Sequence, residues 1–148
     1  MNLPRRRLFL LPLALALVNC SHKEDNNPEA ALNAAFETLQ AALEAKSTDQ
    51  VMDFLHEKFT AQATPGNGHA WARRTMMAAF VRYKAIRLVV SNVENRINPQ
   101  FPNHATTHCN VLLIGAEGLV SGNAQRYIVE LEWVREGQNW KLLRIIWQ

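Results

Sequence analysis

The stretch from Tyr127 to Gln148 constrains this chain more than any other. Two runs rich in β-branched and aromatic residues, Tyr127–Val134 and Trp140–Trp147, flank the polar segment Arg135-Glu136-Gly137-Gln138-Asn139. The pattern predicts a long antiparallel hairpin closed by a tight, glycine-containing turn. With Gly137-Gln138 as a two-residue loop, Trp133 falls opposite Leu142 and Leu131 opposite Arg144. Alternation along the strands then gathers Tyr127, Val129, Leu131, Trp133, Trp140, Leu142, Arg144 and Ile146 on one face. The opposite face receives Ile128, Glu130, Glu132, Val134, Lys141, Leu143, Ile145 and Trp147. The first face is almost wholly apolar, so something must cover it.

Amphipathic helices earlier in the chain supply the cover. Asn27-Pro28 reads as an N-cap with proline at the first helical position. Leu32, Phe36, Leu39 and Leu43 then recur at helical spacing, with Asn33, Glu37, Gln40 and Glu44 opposite, to an end near Lys46. Ser47-Thr48-Asp49-Gln50 has the form of a capping box and opens a second helix, with Val51, Phe54, Leu55 and Phe59 as its apolar stripe. Thr60–Ala63 reads as a short strand and Thr64–Gly68 as a loop. A third helix, His69 to Tyr83, carries Ala72, Met76, Phe80 and Tyr83 on one face. From Ala85 the period becomes two and runs to Ile97, through a bulge at Asn92. Residues 98–103 form a loop, Thr106–Ile114 the next strand, 115–118 a turn, and 119–125 the lead into the hairpin. Helices first and strands afterwards indicate an α+β fold, with N-terminal helices packed on the concave face of a curved, mostly antiparallel sheet.

Charge and cysteine usage bear on the N-terminus. The net charge of +3 comes from Arg5, Arg6 and Arg7, because the chain from Cys20 onward carries 13 basic and 13 acidic residues. That balance gives no basic field of the kind nucleic-acid binding requires. Arg5–Arg7 precede an apolar run, Leu8–Val18, whose helical length of roughly 16 Å is too short for a bilayer core of about 30 Å. The run ends at Leu17-Val18-Asn19-Cys20, which resembles a bacterial lipobox. The resemblance implies a signal peptide at 1–19, lipidation of Cys20, a polar tether at 20–28 and a domain at 29–148. Ser21 after the cysteine implies an outer-membrane address facing the periplasm. Arg6-Arg7-Leu8-Phe9-Leu10 also resembles part of a twin-arginine signal, which leaves the export route open. With Cys20 acylated, Cys109 has no intramolecular partner and reads as a small buried hydrophobe.

The opening helix pair, the third helix feeding strands and the closing Gly137-x-x-Trp140-Lys141-Leu142 together resemble the NTF2-like (cystatin-like, α+β cone) superfamily. That resemblance implies a cone-shaped pocket, with Tyr83, Trp133 and Arg144 expected to line it. It also implies homodimers through the convex face, where Leu143, Ile145 and Trp147 are the expected contact residues. Arg144 has two readings: it orients an anionic ligand, or it pairs structurally with Asp49, Asp53 or Glu57 or reaches solvent. Enzymes of the superfamily place acids, histidines or tyrosines inside the cone, and no carboxylate alternates onto the pocket face here. His108, Tyr83 and Arg144 are the remaining catalytic candidates. His104 and His108 lie about 13 Å apart on a strand, too far to share a metal, so neither a metal nor a cofactor is expected. The sequence thus points to a lipid-anchored periplasmic, non-catalytic binding domain for a small molecule or a protein. Two alternatives stand beside it: an isomerase, dehydratase or hydrolase of the NTF2-like kind, and a protein-interaction lipoprotein with a filled cone.

Overall fold

The computed structural model describes residues 27–116 and 124–148, so the expectations for the signal segment, Cys20, the tether before Asn27 and residues 117–123 fall outside the described residues. Three helices, α1 (Pro28–Glu44), α2 (Thr48–Phe54) and α3 (His69–Arg82), accompany five strands. The strands are β1 (Leu55–Ala61), β2 (Ala85–Ile97), β3 (His104–Ala116), β4 (Ala124–Glu136) and β5 (Asn139–Trp147). They form one sheet in the order β1-β5-β4-β3-β2, antiparallel except for the parallel pair β1–β5. The helices pack on its concave face, an α+β architecture as the sequence pattern implies.

Local chemistry explains most boundaries. Asn27 Oδ1 accepts hydrogen bonds from the N–H groups of Glu29 (3.0 Å) and Ala30 (3.5 Å), and Pro28 begins the helix. Ser47 caps α2 by position, but its side chain makes no capping hydrogen bond, so the expected capping box does not form. The second helix also ends earlier than its apolar stripe suggests. Leu55 and Phe59 belong to β1, which runs beside β5, and Gln62 and Ala63 turn the chain with φ of +56° and +47°. The Gln62 side-chain amide continues that edge, donating to Trp147 O (2.8 Å) and accepting from Trp147 N–H (3.3 Å). The bulge in β2 is present, with Asn92 at φ +52° and the register against β3 shifting between Ser91 and Glu94.

The closing hairpin turns at Gly137, φ +61°, with Glu136 opposite Asn139 and Trp133 opposite Leu142 as the two-residue loop requires. Two residues later the register shifts. Glu132 faces Arg144, and Leu131 faces Ile145 rather than Arg144, leaving Leu143 as the extra residue of a β-bulge. Every β5 side chain beyond Leu143 therefore sits on the face opposite to the one an unbroken hairpin assigns. Arg144 leaves the concave face, and Ile145 and Trp147 enter it, where they pack against the core.

That core is anchored by Trp133 and Leu32, both fully buried. Trp133 Nε1–H donates to Thr107 Oγ1 (3.0 Å), whose hydroxyl donates to Asn95 Oδ1; the Asn95 amide in turn donates to Asn33 Oδ1 on α1. This chain satisfies the buried Thr107 and ties the concave face to the first helix. At the opposite end of β3, the Tyr83 ring lies over Gly115, where a Cβ would come within 2.7 Å of the ring. The outer edge of β2 is blunted by α1: Gln40 Nε2 donates to Leu88 O (3.1 Å) and Glu44 accepts from Leu88 N–H (2.7 Å).

Deleting Leu143 removes the extra residue and leaves Leu142 opposite Trp133 and Arg144 opposite Glu132, with Ile145 and Trp147 still on the concave face. Stability is expected to stay within about 2 kcal/mol of the parent, because no core side chain changes face. Urea denaturation of the deletion variant measures it, and a loss above about 4 kcal/mol, as for an arginine driven into the core, would contradict the assignment of Leu143 as the extra residue.

Candidate functional site

Two adjoining cavities lie between the helices and the concave sheet. One, of about 180 Å³, is bounded by Trp71, Ala72, Thr75 and Met76 of α3, with Val51, Leu55, Phe59, Leu142 and Trp147. The other, of about 170 Å³, lies between α1 and the sheet, against Phe36, Gln40, Leu88, Val90, Cys109, Val111, Val129 and Leu131. Leu39, Leu43 and Ile145 line both, so these three side chains form the partition of a two-lobed interior. The polar lining groups are few. Gln40 is already bonded to Leu88 O, Thr75 belongs to α3, and Cys109 is a buried thiol. Burial raises the Cys109 pKa, because the apolar surroundings disfavour the thiolate.

The residues singled out from the sequence are not brought together here. Trp133 is committed to Thr107 in the solid part of the core and lines neither lobe. Tyr83 covers Gly115 at the far end of β3, with the Arg82 guanidinium 5.4 Å from its ring centre. Arg144 stands on the convex face, 3.4 Å from Glu132, a partly exposed cross-strand pair. Its expected pocket position is corrected by the bulge. Its ion-pair partner is Glu132, not Asp49, Asp53 or Glu57. His108 is likewise convex and about half exposed, with Nδ1 3.6 Å from Glu130. His104 is exposed and packs edge-on to Phe101. Among the expected convex contact residues, Ile145 and Trp147 are corrected to the concave side, again by the bulge at Leu143.

Another histidine cluster, at the start of β1, was not singled out from the sequence. His56 Nδ1 accepts from Lys58 N–H (3.0 Å), and its Nε2 lies 3.1 Å from Glu136. His69 Nε2 meets the His56 carbonyl oxygen at 2.5 Å. Both His56 ring nitrogens are spent on these contacts, so the ring has no nitrogen left for a substrate. Among the described residues no group of three or more histidine, cysteine or carboxylate side chains is placed to hold a metal. No helix among them is long and apolar enough to cross a membrane.

Solved structures share this architecture. The chain is similar to Bd1075 of Bdellovibrio bacteriovorus, with a TM-score of 0.68 and 14% identity over 79% of this chain and 40% of that one. It therefore spans less than half the length of that protein. A Streptomyces avermitilis protein of the NTF2-like family, described as a candidate dehydratase, matches with a TM-score of 0.69 and 13% identity, over 80% of this chain and 92% of the other. The fold is NTF2-like. A Nostoc punctiforme protein of unknown function with a cystatin-like fold is similar as well, with a TM-score of 0.64 and 15% identity over 80% and 88% of the two chains. At such identities the likeness is one of fold. No protein-family model matches the chain, and no curated protein matches it in sequence.

The thiol in the NTF2-like interior offers a test with a definite sign. Its folded pKa is raised, so its contribution to stability is intact below the unfolded thiol value of about 8.5 and declines as pH rises towards the folded value. Urea midpoints taken from about pH 8 to about pH 10 should fall more steeply for the parent than for Cys109→Val. Equal slopes would place the thiol in contact with water.

Proposed function

We propose that the NTF2-like domain is a non-catalytic binding module whose two-lobed interior takes a small apolar molecule. We further propose that Cys20 anchors it by lipid to the bacterial outer membrane, facing the periplasm. The observation that carries the binding reading is the partitioned interior itself, walled by aliphatic and aromatic side chains. Cavities of about 150 Å³ with such linings stay dry and accept a benzene-sized guest. Each lobe matches that scale, and rotation of Leu39, Leu43 or Ile145 would join them for a two-ring molecule or a short hydrocarbon chain. Affinity would come from apolar contact, with little directional recognition.

The enzyme alternative has a specific point in its favour, since a structural neighbour is described as a candidate dehydratase. That chemistry needs an acid or base at the substrate, with a pKa suited to the task. Among the described residues, the lobes present Gln40, Thr75 and a thiol held protonated by burial, a lining that suits binding better. The filled-cone alternative and a convex-face homodimer would rely on the outer surface. There Val89 and Ile128, 49% and 54% exposed, take the place of Ile145 and Trp147 as apolar contacts.

The test combines native mass spectrometry with a dye titration. Protein from a bacterial periplasm, beginning at Ser21, should carry an apolar adduct that leaves on denaturation. The delipidated protein should bind Nile red. Ile145→Trp, which fills the partition, should weaken dye binding by about tenfold or more, and Val111→Phe should do so from the α1 side without disturbing the hairpin. Arg144→Met should leave dye affinity unchanged and stability within about 1 kcal/mol. Dye binding indifferent to both filling variants would defeat the reading.

A further inference from the structure

From Lys58 to Val93 the chain contains six basic residues, Lys58, Arg73, Arg74, Arg82, Lys84 and Arg87, and no acid. The balanced charge of the chain beyond Cys20 therefore hides a strong partition, with all 13 acids lying elsewhere. The structure gathers much of this positive charge on α3. Arg73, Arg74, Met77, Ala78 and Val81 are exposed on its outer side, and exposed Lys84 follows its end. Arg74, Met77 and Val81 stand at i, i+3 and i+7, a single stripe along the helix. Val81 is 88% exposed and Met77 51%, the first an unusual degree for an aliphatic side chain on a helix. Arg73 shares its charge with Asp49 at 3.2 Å, whereas Arg74 and Lys84 make no ion pair among the described residues.

Apolar side chains protruding through a ring of cations match one kind of surface. We propose that the outer face of α3 docks on an anionic phospholipid membrane, with Met77 and Val81 entering the headgroup region and Arg74 and Lys84 on lipid phosphates. Charge complementarity argues for this occupant, because α3 carries cations and no acid of its own, Asp49 of α2 meeting it at Arg73, and its apolar content lies where an interfacial helix needs it. The opposite side of the same helix, through Trp71, Ala72, Thr75 and Met76, walls the larger lobe. Docking in this way sets the apolar interior one helix away from lipid. The surface stands on its own evidence and does not depend on the interior holding a ligand.

A chain beginning at Ser21 keeps every described residue and the core they form, and lacks Cys20, the proposed anchor site. Its sedimentation with vesicles of phosphatidylethanolamine and phosphatidylglycerol, against vesicles of phosphatidylcholine alone, is the test. Binding to the anionic vesicles should be about tenfold or more tighter, and should weaken with added salt. Arg74→Gln and Lys84→Gln should each reduce it roughly fivefold. Val81→Asp should reduce it by about tenfold or more while leaving the circular dichroism spectrum and Nile red affinity unchanged. Equal binding to both vesicle types, indifference to these substitutions, or binding to heparin that anionic vesicles do not reproduce would overturn the proposal. Loss of dye binding in the cavity-filling variants with vesicle binding retained separates this surface from the interior.

Discussion

Leu142 and Ile145 stand three residues apart, and an unbroken β-strand cannot bury both on one face. The fold buries both. It does so by giving β5 one residue more than β4 needs, at Leu143, and the concave side of the sheet depends on that insertion. With it, Leu142, Ile145 and Trp147 line up beneath the helices, and Arg144 is carried out to Glu132. The energetic comparison is lopsided. A bulge sacrifices part of one hydrogen-bonding step, worth on the order of 1 kcal/mol, whereas a guanidinium left unpaired in the core costs several. The partition between the lobes follows from the same insertion, since Ile145 is its sheet-side member.

This clarifies what could be read from the sequence. The helical stripe Leu32, Phe36, Leu39, Leu43, the cap at Asn27, the bulge at Asn92 and the Gly137 turn are set by short-range chemistry, and all appear in the structure. The register beyond Leu143 is set by what lies across the sheet. Its signal was nonetheless present as a contradiction: continuous alternation put an arginine among Val129, Leu131 and Leu142 without an acid, with two glutamates waiting on the other face. Treated as a register error, that conflict locates the bulge within a residue or two. β1 was harder to see. Leu55 and Phe59 are four apart, a spacing that suits a helix stripe, and the pairing that makes them a strand is with residues of β5 far along the chain.

The site was less legible than the fold for a different reason. A motif marks a site built from particular side chains, but a cavity is the volume that side chains fail to fill. Nothing in the spacing of Leu39, Leu43, Trp71, Met76 and Ile145 shows that they leave space between them, because each is an ordinary core residue by type and period. Tyr83 and Trp133 are the chemically distinctive residues, and distinctiveness does not mark unfilled space. Both are used to close the two ends of the sheet, one over Gly115 and the other against Thr107.

The empty volume itself carries an energetic argument. Both lobes are about half open, so each forgoes less packing than an enclosed cavity of its volume would. The walls hold small residues, Ala72 on α3 and Cys109 on β3, at positions where a longer aliphatic side chain would reach into the gap. α3 shows the consequence most clearly. Ala72 is its only buried residue, and much of its attachment is polar: His69 to the His56 carbonyl, Arg73 to Asp49, and Lys46 to the carbonyls of Phe80 and Tyr83. Its apolar attachment comes from Ala72 and from the partly buried Trp71 and Met76, which pack against the core. An apolar guest would recover the missing contacts and draw α3 onto the sheet, so stability and occupancy are linked through the same unfilled space.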